Sequence, residues 1–402
     1  MFASRRYSIV VLIGFVLASL NTRVPFGQVG PLAPVAGIDA GTVTFLGVIP
    51  PLAMGIAAPF VPWLLRRSGE DRLLLWASIV ALAGAALRPF GITGLVWGTV
   101  VVALAIGVVN VLIPVYVRRR FAGPKSGPVF GAYALAMGGG SALAAAVVVP
   151  VAHATGRWEF AVATALVPAV LAVVGSLMMQ RRTAVSAPET SVPAVSRPPV
   201  ARTWLAWSLM AFFGVQTLLF YALLAWLPSV LIAGGMSAEA AGSGQAILIL
   251  GIALGGFASP LLAARRPSQT AVITLIVALC AVGMIGLALA PALSAWLWVS
   301  LLGLGLGGGQ ALPAVLYAHR GTDPGHTGAL SSFAQTGGFL IAATGPILLN
   351  SLYTVFDTWS TPLVILAIAC VLNLALSWRA GNSQIPQAAV SPSVQRDSAS
   401  GA

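Results

Sequence analysis

Arg23 lies inside FVLASLNTRVPFGQVGPLAP (15–34), an apolar segment in which no Asp or Glu offers it a partner. A guanidinium holds its charge in any protein setting and costs about 2.5–3.5 kcal/mol at the centre of a bilayer on insertion scales, so it needs a watery cavity or something to bind. If its helix begins near residue 8, Arg23 stands about 22 Å along it, too deep to reach the headgroups easily. Two readings stand. Carbonyls freed by Pro25 take its hydrogen bonds, or its planar fork of donors meets an anionic or strongly dipolar small molecule.

Amides at similar depth are the next candidates, since an amide buried in apolar sequence must find a hydrogen-bond partner. Asn21 sits two residues before Arg23. Asn110 and Gln310 occupy corresponding places in two related stretches, with bonding between helices as the plainer alternative. In FFGVQTLLFYALLAWLP (212–228), Gln216 and Phe220 fall on one helical face and Tyr221 one step round. Gln335 follows Ser332, which is expected to bond its own helix backbone. Asn21, Arg23, Asn110, Gln216, Tyr221, Gln310 and Gln335 form the candidate binding set. All nine carboxylates and the three histidines fall outside the apolar segments or at their ends. No acid or histidine relay is available at depth, which weakens a proton-relay mechanism. Nor is there a catalytic triad, a metal cluster or a pair of carboxylates there, so an enzyme, a cofactor and a metal site are not expected. Cys280 and Cys370 lie inside apolar segments without metal-ligand spacing and read as small packing residues.

The elements that must position these residues follow from composition. The 402 residues are 58% hydrophobic and 7% charged, far from the usage of a soluble domain. Apolar runs of about 20 residues, long enough for about 30 Å of hydrocarbon, recur twelve times. They cover 8–30, 43–64, 73–90, 95–117, 128–150, 158–179, 204–228, 239–264, 269–290, 295–317, 329–350 and 359–380. Stretches such as VVALAIGVVNVLIPVYV do not alternate as barrel strands must, so the spans are helices and the chain is an all-α membrane protein. The net charge of +12 sorts to one face: eighteen of 21 basic residues fall on the side of the N-terminus, leaving Arg23 in a span and Arg88 and Arg157 near outer helix ends. The positive-inside rule therefore places both termini in the cytoplasm. The basic excess reports topology, with the lipid bilayer as partner and no nucleic acid. The N-terminus resembles a secretory signal but lacks a small-x-small cleavage site and reads as an uncleaved first helix.

Residues 181–203, rich in Pro, Ser and Ala, read as a cytoplasmic linker between bundles at 1–180 and 204–380. Residues 381–402 read as a disordered tail. A faint repeat at an offset near 200 relates the halves: GIAAPFVPWLLRR (55–67) to GGFASPLLAARR (255–266), and GVVNVLIPVYVRRR (107–120) to GGGQALPAVLYAHR (307–320). Glycine runs such as GLGLGGGQ (303–310) lack the lysine of a phosphate loop and suit close helix approach. Tryptophans gather toward span ends as interface anchors, with Trp226 a possible cavity cap.

Six plus six helices with parallel repeats resemble the major facilitator fold, two pseudo-symmetric six-helix bundles with a substrate between them. LNTRVPFGQVGPLAP, NVLIPVYVRRRF, FFGVQTLLFYALLAWLPSVLIAGGM, SPLLAARR and SSFAQTGGFLIAATGPILL together resemble the cyanate permease and nitroimidazole transporter family of that superfamily. The resemblance covers all twelve spans and carries the family pattern at Asn21, Arg23, Asn110, Gln216, Tyr221 and Gln335. It departs at Thr22, where leucine is more usual, and at Val24-Pro25, where the proline is displaced by one. It implies a monomeric transporter in the bacterial inner membrane for a small anion such as cyanate, by alternating access. The alternative is efflux of small nitroaromatic or other neutral aromatic compounds, with Tyr221 and Phe220 stacking on the cargo.

Overall fold

The computed structural model describes residues 2–121, 126–183 and 199–382. Lys125, Arg197 and Arg396, linker residues 184–198 and tail residues 383–402 lie outside the described residues. The first half contains α1 (Phe2–Leu20), α2 (Val24–Gly27), α3 (Val29–Ala36), α4 (Ala40–Ala57), α5 (Val61–Ser68), α6 (Glu70–Leu87), α7 (Gly91–Arg120), α8 (Ser126–Thr155), α9 (Trp158–Ala163) and α10 (Leu166–Thr183). The second contains α11 (Trp204–Ala233), α12 (Ala238–Ala264), α13 (Thr270–Leu289), α14 (Pro291–Arg320), α15 (Pro324–Ala343), α16 (Gly345–Phe356) and α17 (Ser360–Asn382). Among the described residues, 11 helical segments are long and apolar enough to cross a membrane. The twelfth expected span is α6, which opens on Glu70, Asp71 and Arg72 and packs along α7 and α10.

Four expected spans are not single helices. The first breaks at residues 21–23 and again at Gln28, the second passes through a 3-10 turn (Ala58–Phe60), the sixth breaks at 164–165, and the eleventh at Thr344. Proline explains three of these. It has no N–H to continue a ladder but fits the first turn of a new helix, and α2, α5 and α16 each restart with one there.

Within the first half α1 packs on α10 and α8, and α4 on α7; within the second α12 and α13 pack on α14, and α11 on α15 and α17. The two most extensive contacts between the halves are α8 with α12 and α4 with α15, and α7 packs on α14 and α15 between them. At the repeat offset α4 corresponds to α12 and α8 to α15, so the two are one contact made twice. The glycine runs do what small residues allow. A side chain at Gly255 would collide with the Leu304 carbonyl, and one at Gly307 with the Ile252 carbonyl, so α12 and α14 touch backbone to backbone.

The halves share their main core at one end, and a smaller cluster of Met54 and Ile106 with Phe213 and Phe339 joins them nearer mid-depth. In the main core Tyr116, Val117 and Phe130 bury with Leu316, Tyr317 and Leu330. Toward the other end, Leu32, Leu46, Leu95 and Val148 cluster within the first half, while Leu227, Leu231, Leu287 and Trp359 cluster within the second. Polar bonds also close the shared end. Arg118 Nη1 donates to the Ala318 carbonyl, and Ser126 Oγ lies 3.3 Å from His319 Nε2. Ser332 corrects its expected role: its hydroxyl donates across the halves to the Ala58 carbonyl at 2.7 Å, because the Pro59–Phe60 turn leaves that carbonyl turned toward α15. At the same end, Arg120 Nη2 pairs with Glu70 at 3.3 Å and with Asp71 at 2.8 Å, fastening α6 to α7.

Candidate functional site

The first span ends as a helix where its own hydroxyls take over the backbone acceptors. Ser19 Oγ donates to the Phe15 carbonyl at 2.6 Å and Thr22 Oγ1 to the Ser19 carbonyl at 2.7 Å. Arg23 follows in a non-helical conformation (φ −129°, ψ −11°) and its carbonyl accepts the N–H groups of Phe26 and Gly27 at 3.2 and 3.0 Å. From this break the side chain crosses to the second half. Nη1 donates to the Tyr221 hydroxyl at 3.3 Å and Nη2 to Gln310 Oε1 at 3.2 Å. The guanidinium carbon stands 5.1 Å from the Phe220 ring centre and 5.9 Å from that of Tyr221, within cation–π range. Gln310 is held for this task by its own donation to Thr217 Oγ1 at 3.2 Å.

Arg23 and Gln310 border a cavity of about 40 Å³ between the halves, lined also by Asn110, Tyr133 and Gln335 together with Met137, Phe213, Tyr317 and Phe339. Asn110 Oδ1 accepts from the Tyr133 hydroxyl at 3.1 Å, and its Nδ2 faces Met54 Sδ at 3.7 Å. Gln335 Nε2 donates across the interface to the Asn110 carbonyl at 3.1 Å and to Ser331 Oγ at 2.7 Å. No carboxylate lines the cavity, and among the described residues none pairs with Arg23. Its recorded bonds reach only neutral oxygens, so the site carries a net positive charge. Arg23 Nη1 and Nη2 thus meet side-chain oxygens of the second half rather than carbonyls freed by Pro25, and the Pro25 carbonyl itself accepts from Arg88 Nη2 at 2.7 Å.

The structure thus brings Arg23, Asn110, Tyr221, Gln310 and Gln335 together. It places Gln216 elsewhere, fully buried in the second half, with Nε2 3.6 Å from Cys370 Sγ and Oε1 accepting from the Cys280 thiol at 3.7 Å. Helix rotation is the reason. Phe213, Thr217 and Tyr221 form the i, i+4, i+8 row of α11 that faces the interface, and Gln216 stands about 100° round from Thr217. Asn21 is buried in the break with Oδ1 unpartnered and does not line the cavity. Trp226 donates to the Pro346 carbonyl at 2.9 Å and packs on Trp359. Tyr133, on the cavity wall, and Thr217, which accepts from Gln310, are neighbours of this constellation that sequence reasoning missed. Their signal was spacing: Thr217 completes the Phe213–Tyr221 row, and Tyr133 precedes Met137 by one turn. Arg88, expected near an outer loop, is fully buried. The reason is that Pro25 and Gln28, two spans earlier in the chain, supply its acceptors.

Fold and site define a multi-pass helical membrane protein with a small cationic, aromatic-walled cavity between two halves. Residues 11–346 match the Major Facilitator Superfamily, and the chain belongs to that superfamily of transporters. It is 31% identical over 387 residues to the 2-nitroimidazole transporter of Escherichia coli (strain K12), covering 95% of this chain and 98% of the relative. It is 30% identical over 342 residues to the cyanate transport protein CynX of the same organism, covering 84% and 88%. In fold it is similar to the transporter FucP in its outward conformation, with a TM-score of 0.68, 13% identity and coverage of 94% and 99%. It is also similar to the proton:xylose symporter XylE, with a TM-score of 0.69, 16% identity and coverage of 93% and 94%.

Proposed function

We propose that the protein carries a small monoanion, of the size and charge of cyanate, across the bacterial inner membrane by alternating access. The observation that carries this reading is Arg23, a permanent cation on a carboxylate-free cavity, held by neutral oxygens that an anion can displace. Size supports it. At about 10–15 Å³ per water-sized group, a cavity of about 40 Å³ takes roughly three such groups, the bulk of a triatomic anion. The relative named for cyanate transport fits the same chemistry.

In this reading residues 1–180 and 204–380 rock about the cavity as a monomer, with both termini cytoplasmic. The shared core then closes the cytoplasmic side, and the separate cores leave the outer side free to part. Arrival of the anion neutralises Arg23 and loosens its hold on Tyr221 and Gln310, so the crossing bonds pass through the substrate. A second reading, export of a small nitroaromatic compound, is favoured by the aromatic walls Phe213, Tyr317 and Phe339 and by the relative named for 2-nitroimidazole. It requires the cavity to widen beyond its present volume.

Counterflow decides between them. Proteoliposomes loaded with unlabelled cyanate should accumulate external radiolabelled cyanate, and Arg23→Ala should abolish this while eluting as a monodisperse species in detergent. Full uptake by Arg23→Ala, or counterflow with 2-nitroimidazole and none with cyanate, would overturn the anion reading.

A further inference from the structure

Arg88 follows the last residue of α6 and is fully buried. Its Nη2 donates to the Pro25 carbonyl and its Nη1 to Gln28 Oε1, each at 2.7 Å, while Nε is buried without a partner. Gly98 leaves room for its stem, since a side chain there would meet Arg88 Cγ. No carboxylate compensates this charge among the described residues. A well-packed apolar residue normally serves stability as well as a buried ion does. The chain nonetheless keeps the charge at the place where the first span has lost its ladder.

What Arg88 grips is the segment that aims Arg23. The four residues of α2 are fixed at one end by the Arg23 carbonyl, which accepts from Phe26 and Gly27, and at the other by Arg88 through Pro25 and Gln28. Gln28 carries the grip onward: its Nε2 donates to Thr164 Oγ1 at 2.9 Å and to the Ala161 carbonyl at 3.3 Å, at the break between α9 and α10. Three elements therefore hold one turn of backbone at a fixed angle. We propose that Arg88 is a positioning residue, which sets the direction in which Arg23 leaves the broken first span and so its reach to Tyr221, Gln310 and the cavity. Its value for transport rests on the reading of Arg23 as the anion's partner; its geometry does not.

The test uses thiol labelling, which needs no substrate. The parent chain, whose Cys280 and Cys370 are both fully buried, supplies the blank. R23C and N110C are each labelled from outside with an anionic methanethiosulfonate, with and without R88K, whose compact ammonium lacks the fork needed for both acceptors. R88K should slow labelling of R23C at least about tenfold, within the roughly hundredfold that an ångström-scale misplacement can cost a positioned group, and leave N110C unchanged. Should R88K fail to fold, Gln28→Leu, which removes one acceptor and keeps Arg88, should give the same split. An unchanged R23C rate, or equal changes at both probes, would overturn the proposal, since a merely structural role moves both or neither. Cyanate uptake is a separate arm: R88K should raise KM with kcat retained. A chain that shows the labelling split but carries no cyanate keeps Arg88 in this role and rejects the substrate.

Discussion

Arg23 and Gln310, 287 positions apart, meet across the interface between the halves, with Nη2 donating to Oε1 at 3.2 Å. Arg23 comes from the break in the first span and Gln310 from the unbroken run of α14 beyond its kink at Ser294, so the bond couples an irregular element of the first half to a regular one of the second. Any solute that competes for this guanidinium alters the contact between the halves directly.

Arg23→Lys should lose more than its conserved charge suggests. Lysine offers a compact head that cannot span Tyr221 and Gln310 while presenting further donors to a ligand. Charged hydrogen bonds contribute about 1.5–3 kcal/mol each, so a loss of roughly 10- to 150-fold in apparent affinity is expected for Lys. Concentration dependence of cyanate counterflow measures it.

Gln310→Leu removes the acceptor and leaves Thr217 without its amide donor, whereas Tyr221→Phe removes only a hydroxyl. Both should weaken binding, Gln310→Leu more. The double variant should fall short of the summed effects, because both act through Arg23. Gln216→Leu is the contrast. Its amide faces two thiols away from the cavity, so KM should not move. A KM shift in Gln216→Leu comparable to that of Gln310→Leu would remove the cavity from its place as the binding site.

Ser332→Ala deletes a neutral hydrogen bond at the closed end, worth about 0.5–1.5 kcal/mol net. The equilibrium between the two access states should shift roughly two- to tenfold toward opening of that end. Spin labels on Thr155 and Val355, at the opposite ends of α8 and α16, should then report a larger population at short separation.

Gly255→Ala and Gly307→Ala should each destabilise the second half, since the added carbon meets backbone that cannot give way, at a cost of about 1–3 kcal/mol. Gly139→Ala, where the new carbon meets nothing within 4 Å, should leave Tm unchanged. Thermal unfolding in detergent reads all three.

The twelve-span plan was legible because hydrocarbon imposes one demand along the whole chain, that every backbone polar group be satisfied inside its own helix. Breaks were less legible. Proline marked several of them, yet Pro50, Pro51, Pro114 and Pro228 lie inside continuous helices, because neighbouring helices reconcile the lost bond. Within the site, Arg23 was visible through the cost of its charge, and Gln310 through its repeat partner Asn110. Gln216 and Tyr221 looked alike in sequence, and a rotation of α11 separated them.

By itself the sequence determined the helical membrane architecture, the two related halves and the presence of an uncompensated cation at depth, all of which follow from composition and local periodicity. Tertiary structure alone decided what that cation touches, that the Pro25 carbonyl accepts from Arg88, and that Thr217 rather than Gln216 bonds the Gln310 amide. The reason is physical: lipid solvation acts on each span separately, whereas hydrogen-bond partners hundreds of positions apart are chosen by how helices rotate and cross when they pack.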